Sequence, residues 1–441
     1  MDITMKTRKG ILSLLVLSYS FSAFAGGIDP APHKSTTSQA SINFYMGGSI
    51  GTDILQDRNA VYDLTDTPPS IITEHYTRPA TGWAIGPAAG MTMNFNPRLF
   101  IAEELFYHWT QPKTELSDSQ ANYTKIKKFR EFGMSIMPGL HLNQSSLFLR
   151  LGLSKALFKR TASAAYTNAR GNNYERYFSG SHIGLGYRVS LIKHLFLQVD
   201  YIYTHYNMQS VLSSNGNGRT FSRDNSNEFL MGLFYQLRQK TTAAAHKAQL
   251  HLNAMYLGMQ GIMNTVMTKR RFSGSFTVHE KTGIHGGKLG LSFGYGHLFK
   301  QHFYLAGEIT TQGVSNHYLG NLQGTRSKLR DGLRYGLSML PGYVINPSNM
   351  IYTRIGWQRG WFKKSGAVND NFTEGPLFST YSNGLRLGIG YTTALTSALA
   401  LNTEYSYVSY RSFRSTNSAG SVITYRPRSY QVMLGLMYRF F

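Results

Sequence analysis

Six ionisable residues recur at one spacing. Glu104, Arg150 and Asp200 are followed by Glu308, Arg354 and Glu404, each 204 positions further on. A guanidinium between two carboxylates makes a bidentate clamp. Such a clamp holds only where all three side chains face one another, away from water. It then either locks a confined interior or gates an ion path. The other chemistry-bearing groups are scattered. His108, His182 and His205 lie near Ser181 and Asp200 in the sequence, without a spacing that commits a nucleophile to a base. Arg386 stands where the repeat of His182 would fall, and Gln312 where that of His108 would fall. The chain therefore reads as a non-enzyme. A lipid-modifying enzyme is a third alternative, since barrels can carry acid–base pairs at their rims. No carboxylate cluster suggests calcium and no His/Cys set suggests zinc, so no metal or cofactor is expected.

The elements that could bring these residues together are strands. In "LFLQVDYIYTH" (195–205), Leu195, Leu197, Val199, Tyr201 and Tyr203 share one face, with Gln198, Asp200 and Thr204 on the other. Eight such segments stand in the first half, at roughly 41–52, 82–95, 99–109, 129–142, 146–158, 180–191, 195–206 and 227–237. Eight more follow at roughly 249–261, 285–299, 302–312, 332–345, 350–361, 382–395, 399–410 and 429–440. The connections alternate between short turns such as "NPR" and "NPSN" and long polar loops. About ten residues per strand, with all long loops at one end, is the pattern of a transmembrane β-barrel rather than a soluble β-sandwich. The composition agrees. Charged residues make up 15%, there are 44 glycines, 29 tyrosines and 26 phenylalanines, and there is no cysteine.

Lys6, Arg8 and Lys9, the apolar run 11–21 and Ala23-Phe24-Ala25 read as a signal peptide over 1–25, cleaved after Ala25. Export and a membrane barrel together place the chain in the outer membrane of a Gram-negative cell.

The repeat extends beyond the ions. "SIMPGLHLN" (135–143) returns as "SMLPGYVIN" (338–346), and "MGLFY" (231–235) as "LGLMY" (434–438). The expected organisation is a first eight-stranded unit over 41–238, a linker over 239–247 and a second unit over 248–441. Small inward residues, including Gly184, Gly186, Gly388 and Gly390, favour two narrow barrels, because an eight-stranded interior has room only for side chains. One sixteen-stranded diffusion porin is the alternative. Pro138 and Pro341 fall mid-strand on the outward parity, where a β-bulge is expected.

The chain ends "YQVMLGLMYRFF". This aromatic strand, with Tyr438, Phe440 and Phe441, resembles the signal read by the outer-membrane insertion machinery. Each half resembles the eight-stranded outer-membrane barrels of the OmpA-like and opacity-protein superfamily, over nearly all of 41–441. The resemblance implies the fold. It leaves open adhesin, structural and small-pore roles.

The formal net charge is +23. Much of the excess flanks the long loops, as in Lys127, Lys128 and Arg130, in Lys269, Arg270 and Arg271, and in Lys363 and Lys364. As an outer basic rim these residues would meet lipopolysaccharide phosphates, membrane lipid or host polyanions. Nucleic acid is excluded by compartment.

Overall fold

A computed structural model describes residues 41–63, 76–117, 123–142, 145–163, 173–192, 194–212, 218–237, 250–273, 278–313, 316–322, 325–366, 378–416 and 422–440. The signal-peptide, linker and Phe441 readings lie outside these residues. In the first half the strands are β1 (Ser41–Asp63), β2 (Tyr76–Asn94), β3 (Leu99–Thr110), β4 (Lys113–Ser117), β5 (Tyr123–Leu142), β6 (Ser145–Ala162), β7 (Tyr174–Ile192), β8 (Leu195–Tyr206), β9 (Gln209–Leu212) and β10 (Gly218–Gln236). In the second they are β11 (Ala254–Ser273), β12 (Val278–Phe299), β13 (Phe303–Gln312), β14 (Asn316–Leu322), β15 (Thr325–Asn346), β16 (Asn349–Gly366), β17 (Phe378–Ala394), β18 (Leu399–Tyr410), β19 (Phe413–Thr416) and β20 (Val422–Phe440).

Antiparallel pairing closes each half on itself. β1 pairs with both β2 and β10, and the ladder runs on through β3, β5, β6, β7 and β8. β11 likewise pairs with both β12 and β20, through β13, β15, β16, β17 and β18. The short β4, β9, β14 and β19 extend β3, β8, β13 and β18 along their neighbours. A ring of sixteen would need β10 laddered on β11 and β20 on β1, and no such ladder occurs among the described residues. A single rung, Ser117 with His279, joins the two sets.

The strands run longer than the sequence pattern suggests. β1 spans 23 residues, where about 9–11 cross a bilayer. Residues 53–63 and 76–81, expected as loop, continue β1 and β2. The wall therefore continues past the apolar belt at the end opposite the short turns.

Alternation sets inside from outside. Outward apolar side chains form the belt: Ile50, Ile85, Leu105 and Ile136 on the first ring, and Leu257, Leu291, Ile309 and Leu337 on the second. Exposed aromatics edge it, with Phe44, Phe95 and Tyr235 near the turns and Trp83, Trp109 and Tyr177 farther up. Inside, Tyr45, Phe100, Phe106, Met137, Phe148 and Phe234 pack together in the first ring. Gly186 admits Phe148. A Cβ at that glycine would collide with the phenyl ring, and one at Gly390 would collide with Tyr352.

The prolines make no bulge. Ile136 pairs with Leu151 and Gly139 with Phe148 in unbroken register across Pro138, and Met339 and Gly342 do the same across Pro341. Only the rungs at the proline drop out on the β6 or β16 side. The register shifts lie higher, between Lys128 and Arg130 and between Asp331 and Arg334. One extra residue flips the parity of the chain beyond it.

The two rings touch along a seam of outward side chains. Tyr187 meets Tyr391 at 6.0 Å between ring centroids, and Phe229 stacks on Tyr405 at 5.0 Å. The hydroxyls of Thr52 and Tyr405 are 3.0 Å apart. Leu197, Val199 and Leu401 are buried in the same cluster.

Candidate functional site

Each ring holds two charged layers, one above the other. The lower layer gathers the six residues of the repeat. In the first ring, Arg150 Nη2 donates to Glu104 Oε1 at 2.5 Å, and Nε lies 3.4 Å from Asp200 Oδ1. Gln198 donates to Asp200 at 2.8 Å and to Glu104 at 3.3 Å, and Tyr45 donates to Glu104 at 3.1 Å. In the second ring, Arg354 Nη1 meets Glu308 at 2.7 Å and Nε donates to Glu404 at 2.7 Å. Tyr256 and Tyr352 donate to Glu308 and Glu404. Positions five residues in from the turns of β3, β6 and β8 share one height, which is why three distant ions converge. Arg150 is 1% exposed and Arg354 0%.

Arg386, on the inward face of β17, adds a second guanidinium. It donates to Glu404 at 3.0 Å. Its counterpart His182 instead meets the Ser135 hydroxyl at 2.9 Å. Arg150 also donates to that hydroxyl, at 3.1 Å, so Ser135 gives its own proton to His182 Nε2. This pair is sealed in the interior, where no substrate carbonyl reaches it.

The upper layer escapes the sequence pattern. Lys128 lies 2.9 Å from Asp53, 2.6 Å from Glu228 and in contact with Glu131. His108 Nδ1 meets Glu228 at 3.1 Å. Three carboxylates thus surround one ammonium. The second ring inverts the balance: Asp331 is held by Lys288 at 2.7 Å and by Arg334 at 2.6 Å, with Asn264 donating at 2.8 Å. The bulges explain both. Without the extra residue Lys128 and Asp331 would point outward; with it they point in. Asp53 and Glu228 carry a readable signal, since they continue the inward parity of their strands past the expected ends.

The expected basic rim divides accordingly. Lys128 is not on it, because the bulge turns its side chain into the ring at 0% exposure. Lys364 is buried as well, on the inward parity of β16. Lys127 and Lys363 are half-exposed and Arg130 is exposed. The Lys127 ammonium sits 4.2 Å from the centroid of the Phe129 ring. Lys269, Arg270 and Arg271 lie in β11 opposite Arg426, Tyr425 and Thr424 of β20. Exposed Arg426 and Arg428 extend the rim. Tyr438 and Phe440 point outward beside each other at 5.2 Å, on the strand that closes the second ring.

Closed antiparallel rings with apolar belts and filled interiors define a transmembrane β-barrel protein. No family model and no curated protein matches the chain. Among solved structures, Ail, the attachment invasion locus protein of Yersinia pestis in complex with the heparin analogue sucrose octasulfate, is similar to it at 13% identity, over 43% of this chain and 99% of its own, with a TM-score of 0.23. Neisserial surface protein A gives 13% identity over 44% and 98%, TM-score 0.24. A Pseudomonas aeruginosa FadL homologue gives 11% identity over 91% of each chain, TM-score 0.26. At these scores none of the three carries an argument about activity, ligand or strand count.

Proposed function

We propose that this protein is an integral outer-membrane protein of a Gram-negative cell, made of two tandem eight-stranded barrels that arose by duplication. Its role is structural or surface-interacting, and it is not an enzyme. The observation that carries the reading is the burial of Arg150 and Arg354. A water-filled lumen would leave these guanidiniums hydrated, whereas both are enclosed with their carboxylates. Paired, enclosed ions favour a plug over a gate or diffusion pore. The walls beyond the belt and the exposed cations Arg130, Arg426 and Arg428 supply a basic outer surface for lipopolysaccharide or other polyanions.

Single-channel recording of the refolded chain tests the pore question. Absent or small conductance is expected, and a stable conductance of porin size would sink the two-plug reading. Retention on immobilised heparin tests the surface role. It should fall steeply above physiological ionic strength, because exposed charge contacts are screened. Salt-insensitive or absent retention argues against polyanion binding.

A further inference from the structure

Beside the seam lies a cleft of about 310 Å³. Leu185, Val199 and Phe229 form one wall, and Met263, Val432 and Leu434 the other. Gly261 and Gly287 border it, both exposed on the outer face of the second ring. Packing requires a glycine at neither position. A Cβ at Gly261 would meet nothing nearer than the Leu434 carbonyl oxygen at 3.8 Å, and one at Gly287 nothing nearer than the Met263 sulfur at 3.9 Å. The first ring shows what the same positions otherwise carry. Ile50 pairs with Met231 as Gly261 pairs with Leu434, and Trp83 pairs with Thr52 as Gly287 pairs with Met263. Ile50 and Trp83 are large and exposed. Strand glycines weaken a sheet and mark close approach of another group. Two of them, in an otherwise apolar belt, keep this cleft open.

Its chemistry names the occupant. An apolar cavity of about 150 Å³ takes one benzene, so twice that volume has room for roughly twelve carbons in a row. On β20 the outward residues above Val432 are Tyr430, Arg428 and Arg426, and the two arginines are exposed. Arg428 stands four residues from Val432, about 13 Å along the strand. Half the hydrocarbon thickness is about 15 Å. A chain lying in the cleft therefore brings a phosphate to the guanidiniums, the donors best matched to it.

We propose that the cleft binds one acyl chain of lipid A, with a lipid A phosphate held by Arg426 and Arg428. The proposal rests on the outer-membrane reading. It is tested on the full refolded chain in detergent micelles, titrated with diphosphoryl lipid A and followed by native mass spectrometry. One lipid A per chain should survive activation that strips the rest. Gly261→Leu/Gly287→Leu should weaken retention at least tenfold, and Arg426→Gln/Arg428→Gln about tenfold. Dephosphorylated lipid A should bind wild type no better than the phosphorylated form binds the arginine variant. Heat-dependent gel mobility reports closed barrels for every variant. Unchanged retention in a closed glycine variant overturns the proposal. If the glycine variant does not close, equal retention by wild type and the arginine variant overturns it. Wild type lacking a heat-dependent shift would strike the barrel reading instead.

Discussion

Lys128 and Arg150 hold carboxylates together in the same ring, but with different reserves. Replacing Lys128 by Met leaves Asp53, Glu131 and Glu228 facing one another without a cation among them. Removing one partner of a buried ion group costs about 3–5 kcal/mol. The variant should unfold at a clearly lower temperature by circular dichroism, and an unchanged midpoint would contradict the arrangement. In the lower layers the two rings should respond unequally. Arg354→Met leaves Arg386 beside Glu404, whereas Arg150→Met leaves Glu104 and Asp200 with the neutral donors Gln198 and Tyr45. Arg150→Met is therefore the more destabilising of the two. If the arginine were a gate, Arg150→Ala would raise bilayer conductance; a plug predicts lower heat stability with conductance unchanged. The lower layers are legible in the sequence because spacing and strand parity agree at all six positions. His108 is legible only as an isolated histidine, since its partner Glu228 stands at the very start of the alternating segment 227–237, beside a long polar stretch.

Along a strand, alternation is strong evidence for which face a residue takes, but one inserted residue reverses it. Nothing in "KIKKFREF" (125–132) marks Phe129 as that residue. The pattern therefore puts the end of the fourth segment near 129 and Lys128 on the rim. The prolines mislead in the opposite direction. Pro138 suggests a bulge, yet the register passes straight through it, because a ring can omit a rung without inserting a residue. Both features are open to test. Deleting Phe129 restores simple alternation and drives Lys128 toward lipid, so the deletion should abolish the heat-dependent gel shift. Pro138→Ala returns a backbone donor to β6 and should stabilise by about 0.5–1.5 kcal/mol, the net worth of one hydrogen bond. A fall in stability would mean that the proline supports the wall in another way.

At the level of the molecule, two sets of eight segments are readable from period and loop length, while the seam is not. Tyr187, Val199 and Leu401 are outward apolar residues, and the sequence offers no way to tell one facing lipid from one facing a second barrel. The contact has a direct check, since the chain contains no cysteine. Tyr187→Cys/Tyr391→Cys should be joined in membranes by a short thiol-specific cross-linker, giving a looped species of altered mobility on a denaturing gel. Failure to cross-link in a folded sample would count against the docked pair.

Because every strand finds its partners within its own ring, only the Ser117–His279 rung would break if the rings moved apart. Side-chain contact in lipid, without the hydrophobic drive present in water, is all else that resists. Tyr187 and Tyr391 can therefore serve as a pivot. The molecule then has two stiff bodies and one soft degree of freedom: slow rocking in the plane of the bilayer that leaves both walls intact.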